Sequence, residues 1–411
     1  MAGLDAPAVP AAHGRRAGYG FWVVAFAFLI VMAVATLPSP LYGLYRTRDH
    51  LSAFMITVIY AIFAAGTIAS LLAVGAVAVR IGRRGVMLAA IATMMVGAGL
   101  LAAWKTLPGL LIGRFITGVS VGLAAGTAIT YLIELRLRAD PKASIVRAQT
   151  IGTSVTVGGL GLGALIGGLL AQWGKLQLTL PYLVFVALGA ATLAGLRFVP
   201  ETGAPAPHPA AKPTAAHSAR LPVPAAAGTL AAFAANGLFA GLAGLFLATI
   251  LHHPSHALSG ATLFLVFSCG VLSQLMTTKL AASRVLALGT ISMLAGLVLL
   301  VVSVRLSNPN LALFLAGGAL IGGGAGTVFK GTTGIVLAAS APENRLAMTS
   351  ELLIALYVGL SVPVVGAGIA LNQGASSPNT VLGFAVLVGL GVSVSGWALL
   401  RVQAASSEHA S

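Results

Sequence analysis

The chain has 411 residues, of which 58% are hydrophobic and 8% charged, and its mean hydropathy is +0.99. This composition excludes a water-soluble globular protein, because so much apolar surface can be covered only by lipid. The net charge of +15 is typical of nucleic-acid-binding proteins. Lys and Arg, however, occupy short breaks between apolar runs and form no continuous basic face, so we expect no nucleic acid as a partner.

Apolar runs of about 20 residues, long enough for a helix to cross a bilayer, follow one another along the chain. We predict an all-α integral membrane protein with twelve transmembrane helices, at residues 21–45, 52–79, 86–104, 109–133, 149–172, 180–198, 226–250, 258–278, 285–304, 311–339, 348–372 and 380–400. Pro38, Pro40 and Pro363 are expected to kink the first and eleventh helices and to free backbone carbonyls there.

The spans divide the chain into two six-helix bundles, 21–198 and 225–401. The segment between them, 199–224, contains seven prolines and is predicted to be a flexible linker. Short tails, 1–20 and 402–411, complete the chain. Gly118 and Gly122 of the fourth span match Gly322 and Gly326 of the tenth, which indicates that the two bundles are pseudo-symmetric repeats of one unit.

Loop charges predict the orientation of the spans. Sixteen Lys and Arg residues fall in the tails, the linker and the loops on one side of the membrane, against five on the other side. Because positive loops remain in the cytoplasm, we expect a multi-pass protein of the cell (inner) membrane with both termini and the linker cytoplasmic.

The loop between the second and third spans reads G-A-V-A-V-R-I-G-R-R. It resembles the signature loop of the major facilitator superfamily, which has glycine, three residues, Asp, Arg, any residue, Gly and two basic residues. The resemblance implies a latch on the cytoplasmic gate formed by Gly75, Arg80, Gly82, Arg83 and Arg84. Val79 replaces the motif's Asp, which implies a weaker latch or one built differently. The alternative is a basic turn that only anchors the topology.

Two further spans resemble motifs of the same superfamily. Arg114, four residues before Gly118, resembles its second motif and is expected in a cavity or gate, or else snorkelling to the nearby surface. Residues 159–168, G-L-G-L-G-A-L-I-G-G, are similar to the motif of its drug/proton antiporter branch, with Ala164 in place of the usual Pro. Close helix packing by Gly159, Gly163, Gly167 and Gly168 explains this second motif equally well.

The remaining polar residues in the spans are few. With Arg114, three other membrane-embedded charges are expected: Lys330, Glu351 and Glu134. Lys330 and Glu351 are predicted to pair at comparable depth, either as a gate that carries a proton or as a static pair near the surface. The superfamily fold implies that its cavity-lining helices place several polar residues at a substrate cavity: Tyr42, Tyr60, Tyr131, Thr153, Asn236, Gln274 and Tyr357.

No phosphate-binding loop or catalytic serine motif is found, so we expect neither an enzyme nor a cofactor. His252, His253 and His256 have no carboxylate or thiol nearby, and we expect no metal site. The favoured function is proton-coupled export of a small molecule, a drug or a metabolite, by a monomeric carrier working by alternating access. The alternatives are uptake or facilitated diffusion of an organic anion, favoured by the cations Arg114 and Lys330, and a membrane sensor or scaffold.

Overall fold

The protein, as a computed structural model, is described at residues 11–202, 221–341 and 344–408, and this part of the chain is entirely helical outside its turns. Its thirteen α-helices are α1 (Ala11–Thr36), α2 (Tyr42–Asp49), α3 (Ala53–Ala103), α4 (Leu107–Ala125), α5 (Ala128–Ala139), α6 (Ile145–Trp173), α7 (Leu180–Leu196), α8 (Val223–Thr249), α9 (His256–Met276), α10 (Ala282–Arg305), α11 (Leu311–Ala339), α12 (Arg345–Asn372) and α13 (Ser377–Glu408).

These helices give twelve membrane crossings. Among the described residues, ten stretches are long and apolar enough to span a bilayer, and α7 is a shorter apolar helix. The helix α3 has 51 residues, about 76 Å at 1.5 Å per residue, which is twice the length of one crossing. It is broken at Gly82, whose φ of 75° and ψ of 173° are not helical. Two crossings in α3 therefore bring the total to the predicted twelve.

The first crossing is interrupted where the sequence places its prolines. The helix α1 ends at Thr36, and a single 3-10 turn (Ser39–Leu41) leads into α2. Pro38 and Pro40 have no amide hydrogen to continue the α-helical ladder, and Leu41 N donates instead to the carbonyl of Pro38 at 2.9 Å. The last carbonyls of α1 therefore need partners from elsewhere in the fold. Pro363, by contrast, lies inside a continuous α12.

Glycines show the repeat that relates the two halves, α1–α7 and α8–α13. In the first half, Gly118 and Gly122 of α4 lie directly against the backbone carbonyls of Phe63 and Thr67 in α3. In the second half, Gly322 and Gly326 of α11 lie in the same way against Val266 and Gly270 of α9. A side chain at any of the four would collide with backbone, so the matched glycines fix matched helix crossings.

The two membrane faces differ in how the halves meet. We call the side of the protein that carries the start of α1, the Gly82 turn and the ends of α5 and α7 the termini face. The side that carries the α2–α3 and α6–α7 connections is the opposite face. Towards the opposite face, α6 crosses α9 at Gly168 and Gly260, and Thr57 of α3 contacts Gly368 of α12. Towards the termini face, α6, α9 and α11 enclose a cavity of about 270 Å³. The structure is thus closed at the opposite face.

A carboxylate from the end of the first half holds the Gly82 turn. Glu201 Oε1 accepts from Arg83 N and Oε2 from Arg84 N, both at 2.9 Å. These amides begin the second segment of α3, so the carboxylate caps a helix N-terminus with its favoured charge. A Cβ at Gly82 would lie 2.7 Å from the Glu201 carboxylate carbon, which explains why this turn requires glycine.

Parts of the predicted organisation lie outside the described residues. Of the linker 199–224, residues 203–220 are outside, with its basic residues Lys212 and Arg220. The same holds for residues 1–10 and 409–411 of the two tails and for 342–343.

We predict that Glu201→Gln lowers the free energy of unfolding of the first half by about 2 kcal/mol. One of the two backbone N–H groups that now donate to the carboxylate would instead face the NH₂ group of the glutamine, which cannot accept a hydrogen bond. The measurement is the thermal unfolding midpoint of the purified protein in detergent. The control is Asp140→Asn, since Asp140 accepts only the local amide of Lys142. Equal midpoints for the two variants would contradict the capping role.

Candidate substrate site and gates

Arg114 lies in α4 at the break in the first crossing. Its side chain is 0% exposed, and its Nη1 donates to the carbonyl of Ala35 at 2.8 Å. Ala35 belongs to the last turn of α1, where carbonyls lack an amide partner within the helix. The guanidinium donates a hydrogen bond to the Ala35 carbonyl, and its positive charge interacts favourably with the negative end of the helix dipole. The guanidinium carbon also lies 4.5 Å from the centre of the Phe63 ring, in cation–π contact. Snorkelling to the surface is therefore the wrong alternative for Arg114.

Much of the hydrogen-bonding capacity around Arg114 is unused. Nε and Nη2 of Arg114 are buried and make no well-aligned hydrogen bond within the described chain, and the same is true of the Tyr42 hydroxyl, which lies close enough to the guanidinium to interact with it directly. Tyr60 lies within electrostatic interaction distance of Tyr42, Arg114 and Tyr357. We call these four residues the central cluster. The Tyr60 ring would lie 3.6 Å from a Cβ at Gly241 of α8, which places the cluster where the two halves meet.

Five carboxylates of the described residues have partners outside the central cluster. Asp49 pairs with Arg48 at 3.2 Å, and Glu351 Oε2 accepts from Leu221 N at 2.8 Å. Glu134 pairs with Arg83, and Asp140 and Glu201 accept backbone amides. Arg114 takes part in neither of the ion pairs that these carboxylates form. The central cluster therefore carries a positive charge that no described side chain neutralises.

The predicted ion pair between Lys330 and Glu351 is wrong in this conformation. Lys330 Nζ donates to the Gln274 carbonyl at 2.5 Å and to Thr277 Oγ1 at 3.3 Å, both near the end of α9. Glu351 instead holds the Leu221 amide just before α8 begins. Each charge thus satisfies a helix end, because the last carbonyls and first amides of helices are the nearest unpaired groups.

The signature loop forms an ion-pair network at the termini face. Arg83 Nε donates to both oxygens of Glu134 at 3.2 Å, and Thr202 Oγ1 donates to Glu134 Oε2 at 2.5 Å. Arg84 Nη1 donates to the carbonyls of Arg197 and Val199 at 3.3 Å. Glu134, in the middle of α5, thus binds the signature loop, and its depth in the membrane stays a prediction. Val79, Arg80 and Gly75 are exposed, with open space around Gly75, so they make no part of this network.

Two predicted cavity residues have different positions. Tyr131 is fully buried, and its hydroxyl donates to the Pro200 carbonyl at 2.9 Å, so it anchors the end of the first half in this conformation. Asn236 of α8 is 4% exposed, and its Oδ1 has no partner within the described chain. Gln274 and Thr153 do line the cavity at the termini face.

The glycines of α6 serve two interfaces. Gly159, Gly163 and Gly167 lie against α1, with Gly163 directly on the Ala33 backbone, whereas Gly168 lies on the backbone of His256 in the other half. The motif therefore packs one half internally and also seals the opposite face.

A side chain that sequence reasoning missed joins the halves beside this seal. Gln172 Oε1, at the end of α6, accepts from His256 N at 2.9 Å and from Ser255 Oγ at 3.3 Å. His256 Nδ1 also lies 3.2 Å from the Pro40 carbonyl, at the break in the first crossing. One glutamine of the first half thus caps the N-terminus of α9 in the second. No pattern in the sequence marks this contact, because the two residues are far apart in the chain and lie in different halves.

We predict that Gln172→Ala loosens the opposite face, because the first amides of α9 would lose their acceptor. The reporter is Thr57→Cys in a Cys269→Ser background, since Thr57 is 0% exposed and contacts Gly368 of the other half. Alkylation of this cysteine by N-ethylmaleimide should become several times faster. The control is Gln373→Ala, an exposed glutamine on the same face. An unchanged rate in the Gln172 variant would show that the contact does not hold the gate.

Comparison with known proteins agrees with this architecture. The sequence profile of the Major Facilitator Superfamily matches residues 24–284. No curated protein sequence matches the chain. The fold is similar to a point mutant of the nucleoside transporter NupG, with a TM-score of 0.69, 11% identity, and coverage of 93% of this chain and 99% of that one. NupG itself gives a TM-score of 0.64 and 14% identity, with coverage of 94% and 98%. The chain belongs to the Major Facilitator Superfamily and is a multi-pass membrane transporter, not an enzyme.

Proposed function

We propose that the protein is a secondary carrier for small organic anions that works by alternating access. The observation that carries the proposal is the buried Arg114 guanidinium, which has a neutral tyrosine hydroxyl beside it, two nitrogens without a well-aligned hydrogen bond in the described chain, and no carboxylate paired with it there. An anion placed about 4 Å from such a charge gains about 4 kcal/mol at an effective dielectric constant of about 20, and a cation loses as much. Uncompensated charge inside a membrane protein is typical of a functional site.

The gates support the alternating-access part of the proposal. Arg114 is sealed in this conformation, while the cavity between α6, α9 and α11 lies towards the termini face. Movement of the half 21–198 against the half 225–401 would open the opposite face and close the termini face. The linker 199–224 would join the two halves, and the tails 1–20 and 402–411 would lie outside them. We take the carrier to be a monomer.

Proton-coupled export of a drug or metabolite is the second candidate. It is favoured by the resemblance of residues 159–168 to the antiporter motif and by the position of Gly168 in the seal between the halves. A proton carrier for this mechanism would have to be a carboxylate such as Glu134 or Glu351, and both of these have partners outside the central cluster in this conformation. That geometry supports export less well than it supports anion transport.

The charge distribution supports a location in the cell (inner) membrane with the termini face in the cytoplasm. The tails, the linker and the loops of that face carry sixteen Lys and Arg residues, against five at the opposite face. On this orientation the structure is open towards the cytoplasm.

The test of substrate class is uptake by proteoliposomes that contain a pH-sensitive dye, with lactate, succinate and benzoate as anions, tetraphenylphosphonium as a cation and uridine as a neutral solute. We expect uptake of at least one acid. Arg114→Gln should reduce it on the order of a hundredfold, because the lost charge-assisted bonds contribute about 3 kcal/mol. Arg114→Lys should retain part of it, since the charge remains without the planar fork.

The matched control is Arg401→Gln, because Arg401 also stacks on an aromatic ring, that of Trp397, but is exposed at the end of the last crossing. It should transport as the unaltered protein does. Undiminished acid uptake by a folded Arg114→Gln protein contradicts the anion site. Collapse of the pH gradient by the cation alone favours proton-coupled export, and uptake of uridine alone favours a neutral solute.

The orientation predicts the labelling of single cysteines in a Cys269→Ser background. Lys175→Cys, exposed at the opposite face, should react with a membrane-impermeant maleimide on intact cells. Lys142→Cys, exposed at the termini face, should react only after the membrane is permeabilised. The reverse pattern would place the termini outside the cytoplasm.

A further inference from the structure

The cavity at the termini face is separate from the central cluster. Its volume is about 270 Å³, and it is lined by Thr153 and Ser154 of α6, Gln274 of α9, and Lys330 and Thr333 of α11, among others. The α6 wall belongs to the first half of the protein, and the α9 and α11 walls belong to the second. No lining residue carries a negative charge. We call this cavity the vestibule.

Lys330 retains donor capacity in the vestibule. Its ammonium has three N–H groups, and two of them are used by the Gln274 carbonyl and Thr277 Oγ1. The Gln274 carbonyl lies in the last turn of α9, where it has no amide partner within its helix. These neutral acceptors position the ammonium without neutralising its charge. One N–H and a full positive charge remain for a ligand.

A second donor lies one turn along α11. Thr333 Oγ1 is buried and has no partner within the described chain. Residues 330 and 333 are three apart on a helix and therefore lie on one face. Both side chains line the vestibule. A buried hydroxyl without a partner is costly, and rotation of the Thr333 side chain to another staggered rotamer would turn the hydroxyl towards the vestibule, where an oxygen of a bound anion would satisfy it.

We propose that the vestibule is a second anion site, which binds a carboxylate or phosphate group of the transported solute on its way between the cytoplasm and the central cluster. Lys330 supplies the charge, and Thr333 and the Gln274 amide supply hydrogen bonds. The inference deepens the proposed anion transport and rests on it for the path of the solute. Because its walls come from both halves, the site exists in the conformation that is open at the termini face.

The probe is pyridoxal 5′-phosphate, a small aldehyde that carries a phosphate. Lysine Nζ attacks the aldehyde carbon, water leaves, and borohydride reduces the resulting imine to a secondary amine that mass spectrometry of peptides detects. Uncharged pyridoxal has the same aldehyde and serves as the matched reagent. The phosphate form should label Lys330 about tenfold faster than pyridoxal does, as one charge-assisted contact predicts. Exposed Lys279, at the same face, should show a ratio close to one.

Two further arms identify the ligand. Inorganic phosphate or succinate should protect Lys330 from labelling, and Thr333→Val should lower the ratio between the two reagents. Thr349→Val should not, since Thr349 donates to its own helix outside the vestibule. Equal labelling by both reagents overturns the proposal, and protection by phosphatidylglycerol vesicles alone overturns it in favour of a lipid headgroup. Labelling requires no transport, so its failure is distinguishable from failure of the Arg114 transport test.

Discussion

The fold depends on one hydrogen bond inside the membrane, from Arg114 to the carbonyl of Ala35. Hydrocarbon offers no water to a broken helix, so the break at Pro38 and Pro40 is tolerated only where protein groups satisfy the freed carbonyls. A neutral donor would have been sufficient for that purpose. Because the donor is a guanidinium, a positive charge and two further N–H-bearing nitrogens also lie where the two halves meet. The same contact that stabilises the break thus creates the feature most suited to an anionic solute.

The interactions within a half differ in kind from those between halves. Within the first half, Glu201 and Glu134 hold the signature loop through charge-assisted hydrogen bonds, each worth about 1.5–3 kcal/mol. Between the halves, the described contacts include glycine crossings and neutral hydrogen bonds made by Gln172 and His256, and a neutral hydrogen bond is worth about 1 kcal/mol. Neutral contacts between the halves are broken and remade at a lower free-energy cost than charge-assisted ones, as rocking requires. His256 links that interface to the Pro40 carbonyl, so the gate at the opposite face and the break in the first crossing lie in direct contact.

Hydropathy, proline positions and glycine spacing predicted the twelve crossings, the break in the first helix and the matched crossings of α4 and α11. These features follow from one-dimensional patterns, since lipid imposes the length of each crossing. The partners of Lys330, Glu351 and Tyr131 could not be predicted, because each side chain binds a backbone group at the end of another helix. Glu201 and Gln172 could not be predicted for the same reason, because the backbone amides that they cap belong to other helices, and for Gln172 to a helix in the other half.

On the proposed function, binding of an anion at Arg114 drives the exchange of the closed face. The most direct measurement is the distance between spin labels at Lys142→Cys and Lys279→Cys, exposed residues of the two halves at the termini face, in a Cys269→Ser background. Double electron–electron resonance should show a shorter distance when a transported acid is added, and no change in Arg114→Gln. A distance that shortens equally in both proteins, or that responds to tetraphenylphosphonium and to no acid, would contradict the account.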